Sequence, residues 1–317
     1  MKPATRPEHE AVLLPPLLRM GDKIRFVSPA STPETEAVLR RVRMLEGWGL
    51  TVDIGPHAFR RMAYLAGTDD ERLADFNDAL RDPTVRAIFT TRGGKGSYRI
   101  ADRLDFAAAR NDPKFVVGFS DITILHLSLW RHCRLVGIHG ALMDSGDSGI
   151  SEQGSAALRR LLMTGETTTL RARPEEPTSV LTTDGEARGR LIGGNLSMIS
   201  TAAGWALPNL TGAILLLEAV NMYIGQVDRQ LTMLRKGGHL SGLAGVAVGQ
   251  FTGFEPHSDL SIIDLLRDHL GQLGVPILGG LPLGHGDHPL SVPVGTMAVL
   301  DAASGQLTVA GTEAGLR

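Results

Sequence analysis

Two hydrophobic periods alternate along the first half of the chain. Short apolar runs mark "KIRFVSPAS" (Lys23 to Ser31), "LTVDIG" (Leu50 to Gly55), "VRAIFTTRGG" (from Val85) and "KFVVGFS" (from Lys114) as strands. Between them the spacing lengthens to three and four. Val38, Val42 and Leu45 share one face of a helix through "EAVLRRVRMLEG". Thr32 reads as its N-cap, Pro33 as its first position, and Gly47 and Gly49 as its stop. Leu73, Phe76 and Leu80 make a second face in "TDDERLADFNDALRD". "SYRIADRLDF" predicts a third helix and "ITILHL" a fourth. Strands and helices alternating at this pitch predict an α/β fold, a parallel sheet with helices on both faces. Such sheets bind ligands beyond the carboxyl ends of their strands. Those ends carry "SPAS", "TTRGGKGS" and "GFSD".

From Asp144 to about Thr183 the pattern lapses into "DSGDSGISEQGS" and "ARPEEPTSV", with one short helix, "AALRRLLM". The chain therefore divides into a first domain over 1–145, a connection over 146–183 and a second domain over 184–317. The second domain alternates again: "GRLIGGNLSMISTAAG", the strand "GAILLLEAV", the helix "VDRQLTMLRKGG", the strand "LAGVAVGQF" and the helix "SIIDLLRDHLGQLG". A Gly/Pro-rich tail of short strands follows.

The 317 residues are enough for one large domain or two ordinary ones. Lys+Arg 32 against Asp+Glu 34, a formal charge of −2, leaves no nucleic-acid footprint. A single cysteine, Cys133, excludes an internal disulfide and fits a reducing compartment. No run of about 18 apolar residues suggests a membrane span, and the N-terminal apolar patch is interrupted by prolines. The expectation is a soluble, cytoplasmic protein.

Four places carry candidate chemistry. Ser120 stands where "FVVGF" meets a helix, with Gly118 two residues before it. A tight strand-to-helix turn would expose its hydroxyl as in a nucleophile elbow, although Ile122 replaces the second glycine of that motif. Ser120 and Asp121 also read simply as a helix cap. "TTRGGKGSYR" resembles a phosphate loop but fails the Walker pattern, since Gly96 follows Lys95. It leaves a glycine turn able to face an oxyanion, or a turn with no ligand. Glu218 ends the run "AILLL", either exposed at a strand end or buried against a partner such as histidine. His285 lies in "GLPLGHGDHPL", a loop able to reach into a cleft; with Asp287 and His288 it also admits a weak metal reading.

Taken together the pieces resemble the LD-carboxypeptidase family of serine peptidases, which includes the muramoyl-tetrapeptide carboxypeptidases and the microcin C self-immunity hydrolases. The matching segments, in order, are "GDKIRFVSPAS", "DDERLADFNDALRDPTVRAIFTTRGGKGS", "DPKFVVGFSDITILH", "GIHGALM", "GRLIGGNLSMIS", "LLLEAVN" with "VDRQLTML", and "GLPLGHGDHPLSVPVG". The resemblance implies Ser120 as nucleophile, His285 as general base and Glu218 as the carboxylate that orients it. It implies an oxyanion hole from the backbone N–H groups of Gly93, Gly94 and Asp121. The implied fold is an N-terminal flavodoxin-like domain, akin to class I amidotransferases, with a smaller β-rich C-terminal α/β domain. The implied reaction is release of D-alanine from a murein tetrapeptide during peptidoglycan recycling, by a homodimer needing neither metal nor organic cofactor. Hydrolysis of an aminoacyl-nucleotide amide is the second reading, and a catalytically silent binding protein using the same cleft is the third. Lys95 stands where the family usually has an aromatic, and Ala219 where an acidic residue usually follows the glutamate. Lys95 is thus either a contact for a substrate carboxylate or a solvated loop lysine.

Overall fold

The computed structural model describes residues 11–140, 150–254 and 259–312. The border expected at 145 lies outside them. In chain order the first half runs β1 (Lys23–Val27), α1 (Thr35–Glu46), β2 (Thr51–Ile54), α2 (Asp69–Arg81), β3 (Val85–Thr90), α3 (Phe106–Asn111), β4 (Phe115–Gly118), α4 (Thr123–Cys133) and β5 (Gly137–His139). Then come α5 (Glu152–Met163), β6 (Thr168–Arg171), β7 (Glu186–Asn195), α6 (Leu196–Ala202), β8 (Ile214–Val220), α7 (Ile224–Lys236) and β9 (Gly245–Thr252). The chain closes with α8 (Ile262–Gly271), β10 (Ile277–Leu278), β11 (Val292–Val294), β12 (Met297–Asp301) and β13 (Gln306–Val309).

The first sheet has the order β11-β5-β4-β3-β1-β2. Its five sequential strands are parallel and follow the flavodoxin order, so a crevice opens beyond the ends of β1 and β3. The sixth strand, β11, comes from the far end of the chain and pairs antiparallel with β5. The second sheet has seven strands, β10-β9-β8-β7-β12-β13-β6. It is parallel from β10 to β7 and antiparallel from there to β6. One apolar core includes Ile88 and Val116 of the first sheet, Leu127 of α4, Ile199 of α6 and Leu215 and Leu217 of the second. Packing of α4 against α6 and β7 therefore joins the halves.

Three local expectations differ. Thr32 does not cap α1; its hydroxyl donates to Arg60 O and Leu65 O, and the helix starts after Glu34 without a side-chain cap. "SYRIADRLDF" forms only a short 3₁₀ turn over Ser97–Arg99, and the next helix waits for Asp105, whose carboxylate accepts from Ala108 N. Within the expected connection, α5 packs Leu158, Leu161 and Leu162 into the core of the first sheet, and β6 joins the second sheet beside β13.

Arg72 holds the crevice loops together. Fully buried on α2, it donates to Pro29 O and to Gly96 O (2.9 Å) and pairs with Asp69. The loop after β1 and the glycine turn after β3 thus share one guanidinium. Replacing it with an apolar side chain leaves buried carbonyls unmet. Arg72→Met is expected to lower the unfolding free energy by about 3 kcal/mol, measured by urea denaturation.

Candidate active site

The turn after β4 is built for close approach. Gly118 packs where a Cβ would stand 2.2 Å from Thr90 Oγ1. Phe119 is extended, and Ser120 then adopts φ 64, the left-handed region that L-residues rarely occupy. A short 3₁₀ turn over Ser120–Ile122 leads into α4. Ser120 is half-buried, whereas Val116 and Val117 before it have no exposure. Gly93 lies directly against it, since a Cβ there would come 2.8 Å from Ser120 Cβ and 3.2 Å from Asp121 N.

The Asp121 side chain does not cap α4. It is buried and accepts from Ser97 N (2.8 Å) and Ser97 Oγ (2.6 Å), tying the serine turn to the end of the glycine turn. Burial pushes its carboxyl above the usual range, against the Ser97 hydrogen bonds and the charges of Arg72 and Lys95. Lys95 itself is exposed, and its backbone N–H donates to Ser31 Oγ at 3.1 Å.

The second half supplies a histidine and a carboxylate. Glu218, near the end of β8, has no exposure, and its Oε2 lies 2.7 Å from His285 Nδ1. Burial opposes its ionisation more than any other single influence. The charge of His285 and the hydrogen bond between them nevertheless hold Glu218 below the usual carboxylate range, helped by His139 and Asn195. Gly284 brings the loop in at φ 131, where a Cβ would stand 3.0 Å from Glu218 Cβ. Ala219 points into the apolar core, so its departure from the family pattern does not face the cleft.

Ser120 and His285 line one cleft of about 510 Å³ with Phe119, Gly93, Gly94 and Lys95. The Phe119 and His285 rings lie 4.7 Å apart, centroid to centroid. No hydrogen bond joins Ser120 to His285 in this structure, a looseness common before substrate binds. Arg41 and Arg92 also line the cleft, and among the described residues no Asp or Glu does. Arg41 is buried and donates to Thr91 O. Asp287 and His288 turn their backbone carbonyls to Arg173. Among the described residues no group of three or more His, Cys, Asp or Glu side chains could hold a metal.

Sequence reasoning missed His139, Asn195 and Arg41. His139 ends β5, is buried, and meets the Phe119 ring edge-on at 6.1 Å. Asn195 stands beside Glu218 in the β7–β8 register. The end of a parallel strand was the signal available for both.

Ser120 on its strained strand-end turn and a histidine held by a buried glutamate line one cleft, and the comparisons with known proteins give the class, a serine-type carboxypeptidase. Residues 24–140 match the LD-carboxypeptidase N-terminal domain and residues 188–300 the LD-carboxypeptidase C-terminal domain. The chain belongs to the LD-carboxypeptidase family. A probable murein peptide carboxypeptidase of Bacillus subtilis is 34% identical over 297 residues, 91% of this chain and 92% of the relative. The solved muramoyltetrapeptide carboxypeptidase from Oxalobacter formigenes superposes with a TM-score of 0.80 at 26% identity, over 91% of this chain and 98% of its own. The microcin C7 self immunity protein MccF shares the fold with a TM-score of 0.83 at 23% identity, over 94% of this chain and 98% of its own.

Two outcomes follow from the local physics. Glycine relieves a left-handed turn and alanine does not, so Ser120→Gly should be about 1 kcal/mol more stable than Ser120→Ala in paired denaturation curves. Burial also presses His126 to a pKa of about 3 and His139 to about 4, from 6.5. The unfolded chain then binds protons that the folded one does not. This stability is complete above pH 6.5 and is lost as the pH falls toward those depressed values. Between pH 7 and pH 5 the unfolding free energy should drop by about 2 kcal/mol for each histidine. Asp121, shifted upward, works in the opposite sense. A stability flat over that range would mean that the two imidazoles are not held neutral.

Proposed function

We propose that this enzyme is a serine LD-carboxypeptidase that removes the terminal D-amino acid of a murein tetrapeptide through Ser120, His285 and Glu218. The observation that carries the reading is the buried Glu218–His285 pair facing the same cleft as the strained Ser120 turn. Neutral His285 takes the Ser120 proton as Oγ attacks the scissile carbonyl. The backbone N–H groups of Gly93, Gly94 and Asp121 meet the oxygen that becomes negative, each worth about 3 kcal/mol to the transition state. The imidazolium, stabilised by ionised Glu218, hands its proton to the leaving amine. Water then gives a proton to His285 and releases the acyl group.

A carboxypeptidase must hold a free carboxylate beside the bond it cuts. Among the described residues the cleft is lined by the cations Arg41, Arg92 and Lys95 and by no acidic residue, and Arg92 and Lys95 suit that carboxylate. The same cations suit a phosphate, and the fold shared with MccF, solved in complex with aspartyl sulfamoyl adenosine, supports aminoacyl-nucleotide amides as the second reading. Peptidoglycan recycling, a cytoplasmic setting and a homodimeric assembly belong to the first reading, as does a division of the chain near 145 and 183. No described helix is long and apolar enough to cross a membrane.

Mass spectrometry of D-alanine released from murein tetrapeptide tests the assignment. Ser120→Ala should reduce release by at least about 10³-fold, and Glu218→Gln, still folded, should lose about 10²- to 10⁴-fold in kcat. Turnover should fall on the acid side, as a reaction that needs a neutral general base requires. Undiminished turnover in Glu218→Gln would remove Glu218 from the mechanism. A folded wild type that releases no D-alanine would favour the aminoacyl-nucleotide reading.

A further inference from the structure

A second cavity, of about 390 Å³, opens between the C-terminal end of α4, the start of β7 and the segment entering β8. It shares no lining residue with the catalytic cleft. Trp130 and Arg134 come to it from α4, Arg188 and Arg190 from β7, and Asn209 and Thr211 from the approach to β8. Arg188 and Arg190 are two residues apart on a strand, so their side chains leave the same face. The guanidinium carbons of Arg134 and Arg190 stand 5.4 and 5.6 Å from the centroid of the Trp130 indole. Burial first, and then the charge of Arg134, press the Arg190 guanidinium below its ordinary range.

Three cations thus converge, and among the described residues no Asp or Glu contributes to the lining. Arg190 donates to Gly295 O at 3.1 Å, a neutral acceptor. Asn209 Oδ1 is engaged by Thr211 N (3.0 Å) and Thr211 Oγ1 (2.8 Å), so its amide N–H groups face the remaining task of donating. Cations brought to one place without carboxylates call for an anion. Guanidiniums arriving from two different elements suit tetrahedral oxygens spread in space better than one planar carboxylate. The volume falls in the range of small-molecule pockets.

We propose that this cavity is a second binding site, for a phosphate-type anion of two or more charges held by Arg134, Arg188 and Arg190. Trp130 lies seven residues beyond Thr123 on α4, about 10 Å along the helix axis, which separates this site from Ser120.

Titration calorimetry with inorganic pyrophosphate on the full chain, at fixed ionic strength, tests the site. Two substitutions spare the fold: Arg188 is exposed, and Arg134 has φ 55, a conformation glycine adopts freely. A saturable site is expected that is weakened at least tenfold by Arg188→Ala and by Arg134→Gly and retained in the cleft variant Arg92→Ala/Lys95→Ala. Absence of saturable binding overturns the proposal. So does binding lost in the cleft variant alone, which would place the anion beside Ser120. Cavity variants that altered only the sedimentation behaviour would make the arginines a contact between subunits, and that too would overturn it.

Discussion

An ionised carboxylate without solvent exposure can stand at the end of β8 only if something answers its charge. In this protein that is His285, 2.7 Å away. The rest of the second half is shaped by the requirement. The loop carrying His285 passes so close to β8 that a Cβ on Gly284 would stand 3.0 Å from Glu218 Cβ, and one on Gly286 would be pressed harder still, 2.5 Å from the Gln250 side chain. Gln250 in turn fixes that loop by accepting from Gly286 N (2.8 Å) and donating to Asp287 O (3.2 Å). With His285 removed, Glu218 would be left as an uncompensated charge in a dry site. The pair is therefore a constraint on the fold as much as equipment for chemistry.

The first half solves a complementary problem, that of holding a serine still on a turn that L-residues resist. Asp121 locks the residue after Ser120 to Ser97, and Arg72 locks Gly96 to the loop after β1. The donors proposed for the oxyanion hole are thereby tied to a scaffold fixed by side chains buried on α2 and at the start of α4. The halves meet through α4, whose first turn also receives Asn195 N on Thr123 Oγ1 at 3.0 Å. Ser120 and Glu218 are consequently positioned by elements that touch, although nearly a hundred residues separate them.

The parallel sheet was legible because each βα unit carries its own hydrophobic period within about thirty residues. What the sequence concealed is non-local. The strand β6 looks like linker composition because its partner, β13, lies at the far end of the chain. Thr32 reads as a cap until Arg60 O and Leu65 O compete for its hydroxyl. Asp121 likewise reads as a cap until Ser97 is folded beside it. The site showed the same division. Ser120, Glu218 and His285 could be picked out by their places at strand ends and in a loop, and the family pattern joined them. His139 and Arg41 carried no such mark, since a lone histidine in "VGIHG" and an arginine in a charged helix are ordinary until the fold buries them.

The conformation of Ser120 distinguishes a working site from an inherited shape. A left-handed backbone costs an L-residue about 1–2 kcal/mol, and glycine would remove that cost. The chain uses glycine freely nearby, at Gly93, Gly94, Gly96 and Gly118, wherever a neighbour crowds the backbone. At position 120 it keeps a hydroxyl instead. Helix capping does not account for that choice, because Ile122 stands at the N-cap of α4 and no side chain caps it. Packing does not account for it either, because Ser120 is half-buried and lines an open cleft. Strain that neither the fold nor the core requires is retained where a side chain must project. Here it projects into a cleft that also holds a histidine backed by a buried carboxylate, an arrangement a purely binding protein has no use for.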